Sequence, residues 1–141
     1  MTPKRIGWGT PTERFWDKVA RTDDCWQWVG AKKAAGYGQF MVDGRKVIAH
    51  RWSYVNFVGP IPEGYEIDHT CRNRSCVNPE HLEAVTLQEN RQRRNAARTH
   101  CNRGHELAGD NIKWKHDQDG YRYRSCQPCL AIREARYRAA S

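Results

Sequence analysis

Between Asp68 and Leu82 the chain concentrates reactive side chains: Asp68-His69-Thr70-Cys71, then Cys76, then Asn78-Pro79-Glu80-His81-Leu82, with Asn90 a little further on. Cys71, Cys76 and His81 offer three soft ligands within eleven residues, and a structural zinc takes four in a tetrahedron. Cys25 is the only cysteine outside the two clusters, so it is the expected fourth ligand. A second set, Cys101-x3-His105 with Cys126-x2-Cys129, again supplies three thiols and one imidazole. A Cys-x2-Cys turn facing a distant Cys/His pair is a specific zinc signature. Four protein ligands leave no open coordination position, so both sites are expected to be structural, one Zn2+ each, contributing on the order of 10 kcal/mol apiece to folding.

Once the zinc ligands are assigned, Asp68, His69 and Asn90 remain. An aspartate and an amide oxygen are hard ligands suited to hydrated Mg2+, and a neutral imidazole nearby can take a proton from water. Such a set suits phosphodiester hydrolysis with one catalytic Mg2+ per active site.

The rest of the composition explains why metal is needed. Leu, Ile, Val and Phe together make up only 21 of 141 residues, the mean hydropathy is −0.95, and the net charge is +8. A chain so poor in aliphatics is expected to stay disordered unless something else organises it. Six Trp and six Tyr supply large packing surfaces, and six Cys supply ligands. No apolar run of signal-peptide length lies between Met1 and Val19, and none approaches a membrane span. The expectation is a cytoplasmic protein with no membrane partner and no small-molecule cofactor, in a compartment where thiols stay reduced and bind metal.

The elements that must position these residues read as α+β. A short amphipathic helix is predicted over Thr12–Val19, with Phe15, Trp16 and Val19 inward. Strands are predicted at Cys25–Val29, Tyr37–Val42 and Arg45–Ala49, the last two joined by the hairpin dipeptide Asp43-Gly44, which together make an N-terminal antiparallel ribbon. Phe40, Val42, Val47 and Ala49 share the face that reads as core. A helix over His50–Phe57 should stop at Gly59-Pro60. Strands Tyr65–His69 and His81–Val85 flank the cysteine loop, and Thr86 with Glu89 reads as a capping box opening a helix through about Arg98. A hairpin through Asp119-Gly120 and a C-terminal helix over Pro128–Ala139 complete the chain. The expected organisation is a core of residues 1–98 with the ribbon and first zinc site, and a zinc-binding module with a basic helix over 99–141.

Asp68-His69, Asn78-Pro79-x-His81-Leu82 and Asn90 resemble the HNH motif, and the series His69, Cys71, Cys76, His81, Asn90 is similar to the His-Cys box of ββα-metal homing endonucleases. With the Trp-rich region before it, the segment from Cys25 to Arg94 also resembles HNH endonucleases of phages and group I introns. The resemblance implies that His69 is the general base, that Asn90 ligates Mg2+, that Cys25, Cys71, Cys76 and His81 hold the first zinc, and that Asn78 fixes the loop through backbone hydrogen bonds. Asp68 before the histidine is the HNH habit, which gives Mg2+ two protein ligands. The spacing of the second cluster departs from the His-Cys box pattern.

Double-stranded DNA is the implied substrate, cut to 5′-phosphate and 3′-hydroxyl ends, and the charge distribution agrees. Residues 1–90 hold 12 basic and 11 acidic residues, whereas 91–141 hold 12 and 5. Arg91, Arg94 and Arg98 recur at helical spacing just after Asn90, a stripe suited to phosphates. Arg51 is the candidate clamp on the scissile phosphate. Lys32, Lys33, Gln39, Arg45 and Lys46 are the candidate ribbon contacts in a DNA groove. A homodimer would cut both strands of a pseudo-palindrome, and a monomer would nick. The alternative function is a non-catalytic zinc-containing DNA-binding protein.

Overall fold

A computed structural model describes residues 9–140 and confirms a mixed α+β chain of antiparallel hairpins and helices. Residues 1–8, on which part of the N-terminal leader reading falls, lie outside the described residues. The chain forms two compact units, Met1–Thr86 and Leu87–Ser141. Among the described residues, no helix is long and apolar enough to cross a membrane.

The first unit starts with α1, Pro11–Trp16, which begins one residue before the predicted start and ends three residues before the predicted end. Thr10 caps it: the Thr10 hydroxyl accepts from the Glu13 backbone N–H, and the Glu13 carboxylate takes the Thr10 N–H at 2.7 Å. Val19 leaves the helix and pairs as β1 (Val19–Ala20) with β2 (Gln27–Trp28), Val19 opposite Trp28. A β-branched residue fits a pleated pair better than a helix end. The predicted strand Cys25–Val29 is thereby reduced to two residues. Its other edge is held by the cysteine loop, with Trp28 N–H donating to Ser75 O and Val77 N–H to Trp26 O. It therefore makes no ribbon with the next hairpin, which is a separate two-stranded sheet.

That hairpin pairs β3 (Gln39–Val42) with β4 (Arg45–Ile48), Phe40 opposite Val47 and Val42 opposite Arg45, so that Asp43-Gly44 forms the two-residue turn. Both turn residues have positive φ, 47° and 77°, as the tight hairpin turn matched to strand twist requires. Phe40 and Ala49 are buried and Val42 and Val47 pack on them, the face the alternation selects. Helix α2, Ala49–Phe57, follows at once. Around them Phe15 touches Trp16, Trp28, Phe40, Trp52 and Phe57, ring centroids 4.7–5.9 Å apart. The core is aromatic where aliphatics are scarce. Trp28 is fully buried and its indole N–H donates to Ala31 O, which satisfies the polar end of the largest side chain in that core.

The unit ends with β5 (Tyr65–His69), a short 3-10 helix (Pro79–His81) and β6 (Leu82–Thr86), antiparallel with His69 opposite Leu82. His81 was expected in the second strand. Instead Asn78 and Pro79 tighten the chain into a turn that carries it, and the strand starts one residue later.

In the second unit, α3 (Leu87–Ala97) directly follows β6 in the chain, β7 (Ile112–His116) pairs with β8 (Arg122–Cys126), and α4 (Gln127–Ala139) closes it. Arg124 on β8 donates to the carbonyls of Asn95, Arg98 and Leu107, tying the hairpin to the end of α3.

Candidate active site and metal centres

The donor atoms of Cys25, Cys71, Cys76 and His81 lie within 4.8 Å of one another, as do those of Cys101, His105, Cys126 and Cys129. A tetrahedron with Zn–S arms of about 2.3 Å and a Zn–N arm of about 2.05 Å has S···S edges of about 3.8 Å and S···N edges of about 3.6 Å. The first site shows S···N distances of 3.7 Å (Cys25) and 3.5 Å (Cys76) to His81 Nδ1. In the second, the three sulfurs lie 3.3–3.5 Å from His105 Nδ1, and Cys101 and Cys129 are 3.7 Å apart. Both clusters therefore have the size and chemistry to hold zinc, with the eight residues the spacing singles out.

The surroundings fit the same role. His81 presents Nδ1 to the sulfurs while Nε2 meets the Asp24 carboxylate at 3.3 Å, the outer carboxylate that orients a metal-ligating imidazole. Asn78 is buried and its four polar groups are all used, its backbone carbonyl accepting from the His81 N–H. Its side-chain oxygen accepts from the Glu80 N–H, its amide donates to Asp24 O at 2.9 Å, and its backbone N–H points at Cys76 Sγ. Without a cation, burial pushes the Cys76 thiol up to about 12 and raises Cys71 as well. Buried thiolates there call for a metal charge. In the second site burial opposes ionisation of Cys101, but the Arg103 and His105 backbone hydrogen bonds, with those of the Cys129 and His105 side chains, together outweigh it and hold the thiol down to about 6.

His69 sits at the end of β5, beside the first cluster. It is buried, its ring Nε2 lies 2.9 Å from Cys76 O, and its own N–H donates to Asp68 Oδ1. A carbonyl only accepts, so Nε2 carries the proton and the neutral ring keeps its lone pair on Nδ1. Burial keeps the imidazole below its ordinary pKa against the opposing pull of the Cys76 hydrogen bond and Asp68, so the ring is neutral at pH 7. Cys76 thus ties the two sites together: its sulfur faces the metal and its carbonyl orients His69.

One neighbour was missed from sequence. His50, at the start of α2, is only 6% exposed, its ring centroid lies 4.6 Å from that of His69, and Tyr37 packs at 5.2 Å on it and 6.0 Å from His69. His50 Nδ1 is buried with no hydrogen-bond partner among the described residues. Burial, with the His69 and Arg51 charges, drives its pKa down to about 3. The available signal was the pair His50-Arg51 at a helix start, where a lone histidine in an amphipathic pattern reads as ordinary packing.

Arg51 projects from the same turn of α2 as His50 and is exposed. Asp68 lies opposite Glu83 across the β5–β6 pair. Asn90 is the fourth residue of α3, and Arg91 and Arg94 are exposed on that helix, with Arg98 exposed just beyond its end and bonded to Asn102. Lys32, Lys33, Arg45 and Lys46 are exposed and Gln39 is half-buried. The strand alternation separates two of them: Gln39 and Lys46 share the face of Met41, whereas Arg45 falls on the face of Phe40 and Val47.

The HNH endonuclease family model matches residues 47–92, the segment that runs from β4 through α2 and the cysteine loop to Asn90. Protein 2.8 of Escherichia phage T7 is 33% identical over 104 residues, 71% of this chain and 70% of that protein. The chain belongs to the HNH endonuclease family. Protein 7.7 of the same phage is 38% identical over 68 residues, and the uncharacterized gene 5.3 protein of Enterobacteria phage T3 is 58% identical over 36. The matched part covers 52% and 36% of those two proteins, so this HNH chain spans about half or less of their length. No solved structure matches it.

Proposed function

We propose that this HNH protein is a Mg2+-dependent, site-specific DNA endonuclease acting in a phage-infected cell, in homing or phage DNA processing. The observation that carries the reading is the His69 Nε2 to Cys76 O hydrogen bond within the HNH segment, which leaves a basic nitrogen on a neutral ring beside a carboxylate. His69 Nδ1 takes the proton of the attacking water. Cys76 O keeps the ring oriented, and with the Asp68 charge it stabilises the imidazolium that forms. Arg51 holds the scissile phosphate. The hard oxygens of Asp68 and Asn90 are the donor set for one Mg2+, which when bound supplies positive charge to the phosphate and the leaving 3′ oxygen. The products carry 5′-phosphate and 3′-hydroxyl.

Residues 1–98 carry the chemistry and residues 99–141 form the zinc-bearing DNA-binding module. Arg91, Arg94 and Arg98 bind phosphates, and Lys32, Lys33, Gln39, Arg45 and Lys46 contact the duplex. Cleavage of supercoiled plasmid in Mg2+ by the wild type and by His69→Ala tests the assignment. Wild-type cutting and loss of several orders of magnitude in the variant are expected. Equal cutting by both would remove His69 from the mechanism, and DNA binding without cutting by either would establish the non-catalytic alternative.

A further inference from the structure

The second unit carries a groove of about 430 Å3 beside its metal cluster, lined by Arg103, Arg133 and Arg136 together with Ser125, Cys126 and Cys129. Among the described residues, no acidic side chain lines it. Among the described residues, none of the three exposed guanidiniums has a carboxylate partner, so no internal ion pair neutralises them. The metal ligands fix where these cations point. Cys129, Arg133 and Arg136 fall at i, i+4 and i+7 of α4, so the helix face that presents a thiol to the cluster presents both arginines along the same side. Buried Leu130 holds the helix in that rotation. Arg103 lies in the tight turn Cys101–His105, its backbone N–H bonded to Cys101 Sγ at 3.3 Å and the next residue, Gly104, at a φ of 84° that suits glycine.

The local charge is positive even with the cluster loaded. Three thiolates and one Zn2+ amount to −1, and three guanidiniums bring the groove to about +2. The hairpin continues the surface: Ser125 pairs with Lys113, and Tyr123, on the same face as Ser125, pairs with Lys115. Tyr121 stacks on Tyr123 there. The opposite face of the hairpin is used by Arg124 for its carbonyl contacts.

We propose that this groove binds the phosphodiester backbone of duplex DNA, with Arg103, Arg133 and Arg136 as phosphate ligands and Lys113 and Lys115 extending the track. The assignment adds a second anchoring surface to the DNA endonuclease reading on which it rests. Because the arginines are placed by zinc ligands, the second metal cluster serves binding as well as folding.

The test uses the full zinc-loaded chain in the His69→Ala background, so that a fluorescent 20-base-pair duplex is bound without being consumed. Each phosphate contact contributes about 0.9 to the slope of log affinity against log salt. Replacing Arg103, Arg133 and Arg136 by Gln should lower that slope by about 2 to 3 and weaken binding at least tenfold near 100 mM salt. The matching triple Lys variant should keep most of the slope. Two zinc ions per chain and an unchanged far-UV spectrum establish that both variants are folded. If the Gln variant misfolds, the single Arg136→Gln, on an exposed helix position, should lower the slope by about 1. An unchanged affinity and slope in folded variants would overturn the groove while leaving the nuclease reading intact. DNA binding that depends on the groove in a wild type that never cuts would do the reverse.

Discussion

His50 offers a direct measure of how burial is used next to the proposed base. In the folded protein its pKa is about 3, against 6.5 when exposed, because burial and the nearby His69 and Arg51 disfavour the cation. The folded state therefore binds fewer protons than the unfolded state between those values. Stability from His50 is complete above pH 6.5 and is lost as pH falls toward 3. Between pH 7 and pH 5 a group with these two pKa values weakens folding by about 2 kcal/mol. His50→Phe removes the titration while keeping an aromatic ring against Tyr37 and His69, and it breaks no hydrogen bond at Nδ1, which has no partner among the described residues. Urea unfolding of zinc-saturated wild type and variant at pH 7 and pH 5, followed by tryptophan fluorescence, isolates the effect. Trp16, Trp26, Trp28 and Trp52 all report on the first unit. Acid weakening of zinc binding is common to both proteins and cancels in the difference, which then reports His50 together with its repulsion from His69. The wild type should lose about 2 kcal/mol more than His50→Phe over this interval. Parallel losses would mean that His50 is not held neutral by burial.

Other perturbations give outcomes of known direction. A methyl group on Gly38 would meet Trp28 Cγ and Cδ1 at 2.5 Å, and since that indole is fully buried, Gly38→Ala should cost about 1–3 kcal/mol in urea unfolding. Asp24→Ala removes the carboxylate behind His81. Because Asp24 is exposed, zinc affinity of the first site, read by competition with a chromophoric chelator, should fall by about tenfold, the low end for such partners, with the second site unchanged. Stripping zinc with a strong chelator should abolish cutting, and Mg2+ alone should not restore it, whereas Zn2+ followed by Mg2+ should, because the Cys76 carbonyl that orients His69 belongs to the zinc loop.

The metal centres and the central hairpins were legible because their signals are local. Thiols and imidazoles are few, and short spacings such as Cys126-x2-Cys129 leave little freedom in how they meet. Asp43-Gly44 fixes the register of β3 and β4 through φ values open to few residues. The N-terminal region was less legible because its pairings are long-range. Val19 could extend a helix or pair with Trp28, and the choice is made by backbone bonds that join Trp28 to Ser75 and Trp26 to Val77, about fifty residues away at the cysteine loop. Local periodicity contains no trace of such bonds, so it predicts a strand that is too long and pairs it with the wrong hairpin.

The candidate site divides along the same physical line. Asp68 and His69 announce themselves by type, but the tautomer of His69 is set by a backbone carbonyl, and a carbonyl has no side-chain identity to read. Any residue at position 76 would bring an oxygen; only the loop closed by Cys71, Cys76 and His81 brings it within 2.9 Å of Nε2. Replacing Cys76 by Ser keeps that carbonyl and removes the metal-facing sulfur. If zinc were needed only for bulk stability, a folded Cys76→Ser protein at low temperature would retain the His69 geometry. If the loop holds the base, the imidazole NMR signals of His69 lose the hydrogen-bonded Nε2–H signature even while the rest of the unit remains folded. The second outcome is the one expected, since nothing else among the described hydrogen bonds fixes that ring nitrogen.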